Sequence, residues 1–134
     1  MADAPARFKD ICIDARDHQA LADWWCAAMG YVRRDTLPDG TPRERDWPVL
    51  VEDPAGRGPQ FWFNPVPEAK SGKNRVHLDV VGDSAALQAA GATLVRASDE
   101  RPGHEADEDA GEIAWDVLAD PEGNEFCCFP PQEG

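Results

Sequence analysis

Long apolar runs are missing from this 134-residue chain. No stretch nears the roughly 20 apolar residues that a membrane-crossing helix needs, so no membrane partner is expected. The opening residues, Met-Ala-Asp-Ala-Pro-Ala-Arg, lack an apolar signal core, and a cytoplasmic location is expected from that. Basic charge is scarce: 13 Lys and Arg stand against 26 Asp and Glu, a net charge of −13. The imbalance is uneven, −3 over residues 1–67 and −10 over residues 68–134. Such a surface repels phosphate backbones and anionic lipid, which argues against a nucleic-acid partner. It says little about a small molecule in a shielded pocket. Cysteine is sparse too. Cys12, Cys26, Cys127 and Cys128 include no Cys-x-x-Cys pair, so a structural zinc site is not expected. In a cytosolic chain they read most simply as reduced, small, buried side chains.

What is present is ordinary for one domain with a real core: 42% apolar and 29% charged residues. The most informative stretch runs from Trp115 to Phe129. Trp115, Val117 and Ala119 alternate with Asp116 and Leu118, the period of a strand. Asp120-Pro-Glu-Gly-Asn124 is turn chemistry, because Asp bonds forward to backbone amides, Pro sets φ and Gly123 accepts a positive φ. Glu125 to Phe129 resumes an extended run, which makes the whole a hairpin.

Strand patterning also covers residues 7–16, with Phe8, Asp10, Cys12 and Asp14 on one face and Ile11, Ile13 and Ala15 on the other. The aliphatic face suits contact with a helix; the small polar face suits the lining of a cavity. Asp17 is a good N-cap for a helix carrying Leu21, Trp24, Trp25, Ala28 and Met29 at helical spacing, closed by Gly30. Strands are predicted over Tyr31–Thr36, Trp47–Glu52 and Gln60–Asn64, with breakers between them. Residues 66–75 are polar and rich in breakers, and read as a linker. Strand, helix and strands then recur: Val76–Val81, a short helix capped by Asp83 or Ser84 and ended by Gly91, Ala92–Ala97, and the hairpin. The pattern is a duplicated βαβββ unit.

Three stretches together resemble the glyoxalase-like branch of the vicinal oxygen chelate superfamily. They are Ile11-Cys-Ile-Asp-Ala-Arg-Asp17 with the following helix, Lys70-Ser-Gly-Lys-Asn-Arg-Val-His-Leu-Asp79, and Ala119-Asp-Pro-Glu-Gly-Asn-Glu-Phe-Cys127. The resemblance implies an α+β fold, the glyoxalase/bleomycin resistance fold. In it two paired βαβββ modules form a curled sheet around a cup. One domain over 1–134 is expected, with module one at about 7–65, a linker at 66–75 and module two at about 76–130. Metal-dependent members carry four ligands, one from the first and one from the last strand of each module, usually His, Gln or Glu. Those places fall on Asp10, Asn64, His77 and Cys127. Only His77 keeps the usual type, so no metal and no other cofactor is expected.

The resemblance implies either a metal-free binder of a small organic molecule or a metal-dependent lyase, isomerase or dioxygenase; the departures from the ligand pattern favour the binder. The expected pocket residues are Asp10, Cys12, Trp62, Asn64, His77, Asp79, Trp115 and Cys127. His77 is the candidate catalytic residue, a base that Asp10, Asp14 or Asp79 could orient. Cys127 reads as a buried thiol, or as a nucleophile if a neighbouring cation lowers its pKa. Trp62, Trp47 and Trp115 are candidates for a flat pocket wall. The acidic run His104, Glu105, Asp107, Glu108 and Asp109 reads more readily as a solvated loop than as a cation site, and Lys70, Lys73 and Arg75 as solvated linker charge rather than an anchor for an anionic ligand. A homodimer is expected, since sheet edges in so small a fold need covering.

Overall fold

The computed structural model describes residues 4–98 and 114–131. Within them the order is β1 (Ile11–Ala15), α1 (His18–Met29), β2 (Val32–Arg34), β3 (Val49–Glu52), β4 (Phe61–Pro65), β5 (Leu78–Val81), α2 (Ser84–Ala89), β6 (Thr93–Arg96), β7 (Asp116–Ala119) and β8 (Glu125–Phe129). Contacts gather into two units, Met1–Ala69 and Lys70–Gly134. Each is a βαβββ module with a four-stranded mixed sheet, ordered β1-β4-β3-β2 in the first and β5-β8-β7-β6 in the second. The fold class is therefore α+β, as the repeated pattern predicts. The acidic run at residues 104–109 lies outside the described residues.

The first unit is built on α1. Asp17 accepts a hydrogen bond from the Ala20 N–H at 3.0 Å, and Gly30 closes the helix in the left-handed conformation with φ of 72°. Leu21, Ala22 and Trp25 are fully buried, as are Val49, Val51, Phe61 and Phe63 from β3 and β4. Register places Ile11 beside Phe61 and Ile13 beside Phe63, so the aliphatic face of β1 joins the same core. Each large side chain buried here contributes about 1.5–3 kcal/mol. His18 is also buried, which helical spacing alone does not reveal. Its Nε2 lies 2.9 Å from the Trp47 carbonyl; a carbonyl only accepts, so Nε2 carries the proton.

In the second unit, Asp83 caps α2 by accepting from the Ala86 N–H at 3.1 Å. Leu118, Phe126 and Cys128 are buried on one face of the sheet. Leu118 and Phe126 are cross-strand partners, and so are Val80 and Cys128.

The strands are shorter than their patterns. β1 begins at Ile11, and Phe8 is 71% exposed. β2 ends at Arg34, because Thr36 bridges Pro42 across the following turn instead of continuing the ladder. A strand needs a partner for its backbone groups, and side-chain alternation cannot say where the partner stops.

The loops from β3 to β4 and from β7 to β8 share a device. Asp53-Pro-Ala-Gly and Asp120-Pro-Glu-Gly occupy the same place in the two modules. Asp53 accepts from the N–H groups of Ala55, Arg57 and Gly58 at 2.9–3.1 Å. Asp120 accepts from those of Glu122 and Asn124 at 2.9 and 3.0 Å. Gly56 and Gly123 take φ of 71° and 91°, which an L side chain rarely adopts.

Candidate functional site

Opposite the core, each sheet presents a second face. In the first unit one row crosses all four strands. Cys12 pairs with Trp62, Trp62 with Leu50, and Leu50 with Arg34. The polar groups on this face are largely engaged with one another. Asp10 has a side chain only 8% exposed and bonds Lys9 at 2.6 Å. It also accepts from Trp62 Nε1 at 3.0 Å. The Lys9 hydrogen bond outweighs partial desolvation and, with the Trp62 bond, holds the Asp10 carboxyl below its usual range. Asn64 donates to Asp14 at 3.4 Å, and the Cys12 thiol lies 4.0 Å from Asp10 Oδ1. Arg34 pairs with Glu52 at 2.6 Å. The Arg43 guanidinium sits 5.3 Å from the ring centres of both Trp47 and Trp62, so each indole gives a face to an internal cation.

The second unit repeats the row with different chemistry. Asp79 pairs with Cys127, Cys127 with Val117, and Val117 with Arg96. Around this row lies a cavity of about 340 Å³, also lined by Lys73, His77, Trp115, Glu125 and Phe129. His77 directly precedes β5, and its Nε2 is 3.3 Å from Asp79 Oδ1. Glu125 binds Lys73 at 2.6 Å; that bond leads the causes that lower its pKa. Trp115 and Phe129 lie with ring centres 5.2 Å apart and planes tilted by 31°. They form a continuous aromatic wall. Cys127 is buried. Burial first, then the Asp79 charge, push its thiol above the usual range, and Arg96 and Lys73 only partly offset this. At neutral pH it is a protonated thiol, which makes it a poor nucleophile.

His77, Asp79, Trp115 and Cys127 thus share one cavity in the second unit. Asp10, Cys12, Trp62 and Asn64 belong to the first. Of the carboxylates considered for His77, Asp79 lies in the same unit with its Oδ1 3.3 Å from Nε2. Lys73 stays solvent-exposed, as expected, and also pairs with Glu125 at the start of β8. Arg96 escapes the sequence reading altogether, because plain alternation along β6 gives no sign of its place.

Whether the donors fit the family's metal is a question of chemistry. Asp10 is engaged by a lysine and an indole, Asn64 directs its amide at Asp14, and a thiol stands at Cys127. That set does not fit the usual arrangement of imidazoles and carboxylates. A different trio does converge: donor atoms of His77, Asp79 and Cys127 all lie within 4.8 Å of one another.

Residues 10–129 match the family described as "Glyoxalase-like domain". No match was found among curated proteins. Among solved structures, a glyoxalase/bleomycin resistance protein/dioxygenase family enzyme from Burkholderia phytofirmans PsJN superposes with a TM-score of 0.64 at 19% identity, covering 93% of this chain and 98% of that one. A glyoxalase/bleomycin resistance protein/dioxygenase from Nocardioides gives 0.61 at 18% identity, covering 99% and 88%. A possible glyoxalase from Bacillus cereus gives 0.58 at 12% identity, covering 92% and 97%. At these identities the likeness is one of fold. No described helix is long and apolar enough to cross a membrane.

Proposed function

The chain belongs to the glyoxalase-like domain family of the vicinal oxygen chelate superfamily, and from that premise we propose that it binds a small organic molecule without the family's usual four-ligand metal site. The observation that carries this reading is the cavity over β5, β8 and β7. Its 340 Å³ suits a compact ligand. Its wall is aromatic, its floor is a neutral thiol and a valine, and its polar groups sit at the ends. Binding there needs no charged nucleophile.

Direct tests are thermal shift and cysteine alkylation across a library of small planar compounds. A ligand in the cavity protects Cys127 from alkylation, whereas Cys12, which is exposed, stays reactive. His77→Ala weakens the hits and Cys128→Ala, on the buried face, leaves them in place. Hits insensitive to His77→Ala but abolished by Cys128→Ala would put the ligand on the wrong side of the sheet.

The convergence of His77, Asp79 and Cys127 favours one second reading, a metal-dependent lyase, isomerase or dioxygenase. A borderline ion such as Zn²⁺ displaces a thiol proton when it binds and would supply Lewis acidity. In that reading His77 and Cys127 hold the ion with Asp79. In a metal-free reaction His77 would instead act as the base, with Asp79 fixing its ring through Nε2 and leaving Nδ1 to take a proton. Elemental analysis of the purified protein separates the two: stoichiometric metal that His77→Ala removes supports the enzyme reading.

A further inference from the structure

Arg96 reaches the cavity row through an irregularity. Thr93 faces Ala119 and Leu94 faces Leu118, but the next registered pair is Arg96 with Val117. Continued alternation would have set Val95 opposite Val117. A β-bulge inserts one residue and re-aims the side chains beyond it, so an arginine replaces a valine on the cavity face. Its counterpart in the first unit is Arg34, at the same end of the same row, and there Glu52 neutralises it at 2.6 Å. The place equivalent to Glu52, two residues beyond the row on the neighbouring strand, is Ala119. Arg96 consequently meets no carboxylate among the described residues. Elsewhere around the cavity, Lys73 pairs with Glu125 and the His77 ring lies 3.3 Å from Asp79.

Among the described residues this half-buried guanidinium is an anion-binding group with no anionic partner, beside an aromatic wall. Resting on the binding reading above, we infer that the ligand is a planar organic acid whose carboxylate pairs with Arg96. Its flat body lies along Val117 and Cys127 against Trp115 and Phe129. A donor group at its far end meets Asp79, three strand spacings or ~14 Å across the sheet. Arginine suits this role because its planar fork grips a carboxylate with two parallel hydrogen bonds. The surrounding acidic surface disfavours anions in general, so the selectivity comes from this one contact.

The test uses three matched probes, 2-naphthoate, 2-naphthamide and 2-naphthylmethylammonium, read by calorimetry and by protection of Cys127. The naphthoate binds about tenfold or more tighter than the other two, as a charge-assisted bond within a cavity allows. Arg96→Gln erases that preference, Arg96→Lys keeps part of it, and Arg75→Gln leaves it intact. Circular dichroism melts confirm that each variant is folded. Equal binding of acid and amide, or a preference that survives Arg96→Gln, overturns the inference. If none of the three binds while neutral compounds from the wider library protect Cys127, the inference falls and the binding reading stands. If no compound protects Cys127, the binding reading falls with it.

Discussion

The two units share a strand order and differ in what holds them. In the first, a helix of 12 residues buries Leu21, Ala22 and Trp25 against four buried side chains of β3 and β4. In the second, α2 has six residues and buries none. Val76, Val81, Leu94 and Val95 there are 41–82% exposed. Topology is therefore not a product of helix packing. Both modules keep the same parallel pairing of first and last strand and the same Asp-Pro-x-Gly loop before the last strand. Strand pairing and turn chemistry are common to both, and the large apolar core is particular to one. The second faces differ in the opposite sense. The first unit commits its polar groups to internal pairs, while the second leaves an arginine at the edge of a cavity.

The largest expected effect tests where the core lies. Trp25→Ala should cost about 3–5 kcal/mol in chemical unfolding, because it empties a fully packed site. Val81→Ala should stay within about 0.5 kcal/mol, as an exposed position does. Similar losses for the two would erase the contrast between the units.

A smaller effect concerns the shared loop. Asp120→Ala leaves the part-buried N–H groups of Glu122 and Asn124 without their acceptor and should cost about 1–3 kcal/mol, since Asp120 is 3% exposed. Asp53→Ala removes the equivalent contacts at a more exposed place and should cost less. A larger loss from Asp53 would mean that the first unit depends on its turn more than on its helix.

The smallest effect is a pH dependence. The N–H of Ala55, the leading cause, together with those of Gly58 and Arg57, holds the Asp53 carboxyl below its ordinary value. A folded pKa that is depressed gives stability above the unfolded value, near 3.9, and loses it as pH falls through the folded one. The gap between the native protein and Asp53→Asn should therefore narrow on acidification through that window. Unfolding curves taken from pH 6 downward check it; a gap that widens in acid would contradict the assignment.

Much of this was legible in residues alone. Asp17 and Gly30 bound α1, the repeat of strand and helix patterns foretells both modules, and Glu125 to Phe129 is the observed β8. These features are local: a cap, a positive φ and a two-residue period each depend on neighbours in sequence. Alternation puts Asp79 on the same face as His77, and the family resemblance supplies Cys127; Asp79 and Cys127 are cross-strand partners. Other readings were out of reach for a physical reason. Alternation in β7 separates Val117 from Leu118 without saying which is buried. A bulge resets alternation in β6, so Arg96 could not be placed from its neighbours. His18 could not be read as buried until Trp47 supplied a carbonyl.

By itself the sequence determined the order of elements, the two-module repeat and the acidic character of the surface, because each rests on local periodicity, turn chemistry or composition. Only the tertiary structure decided which carboxylates are already engaged, that the Cys127 thiol stays protonated, and that an arginine with no carboxylate among the described residues faces the cavity. Those properties depend on distances between residues up to tens of positions apart in the chain, such as Asp10 and Trp62 or Arg96 and Val117, and burial and charge act through space.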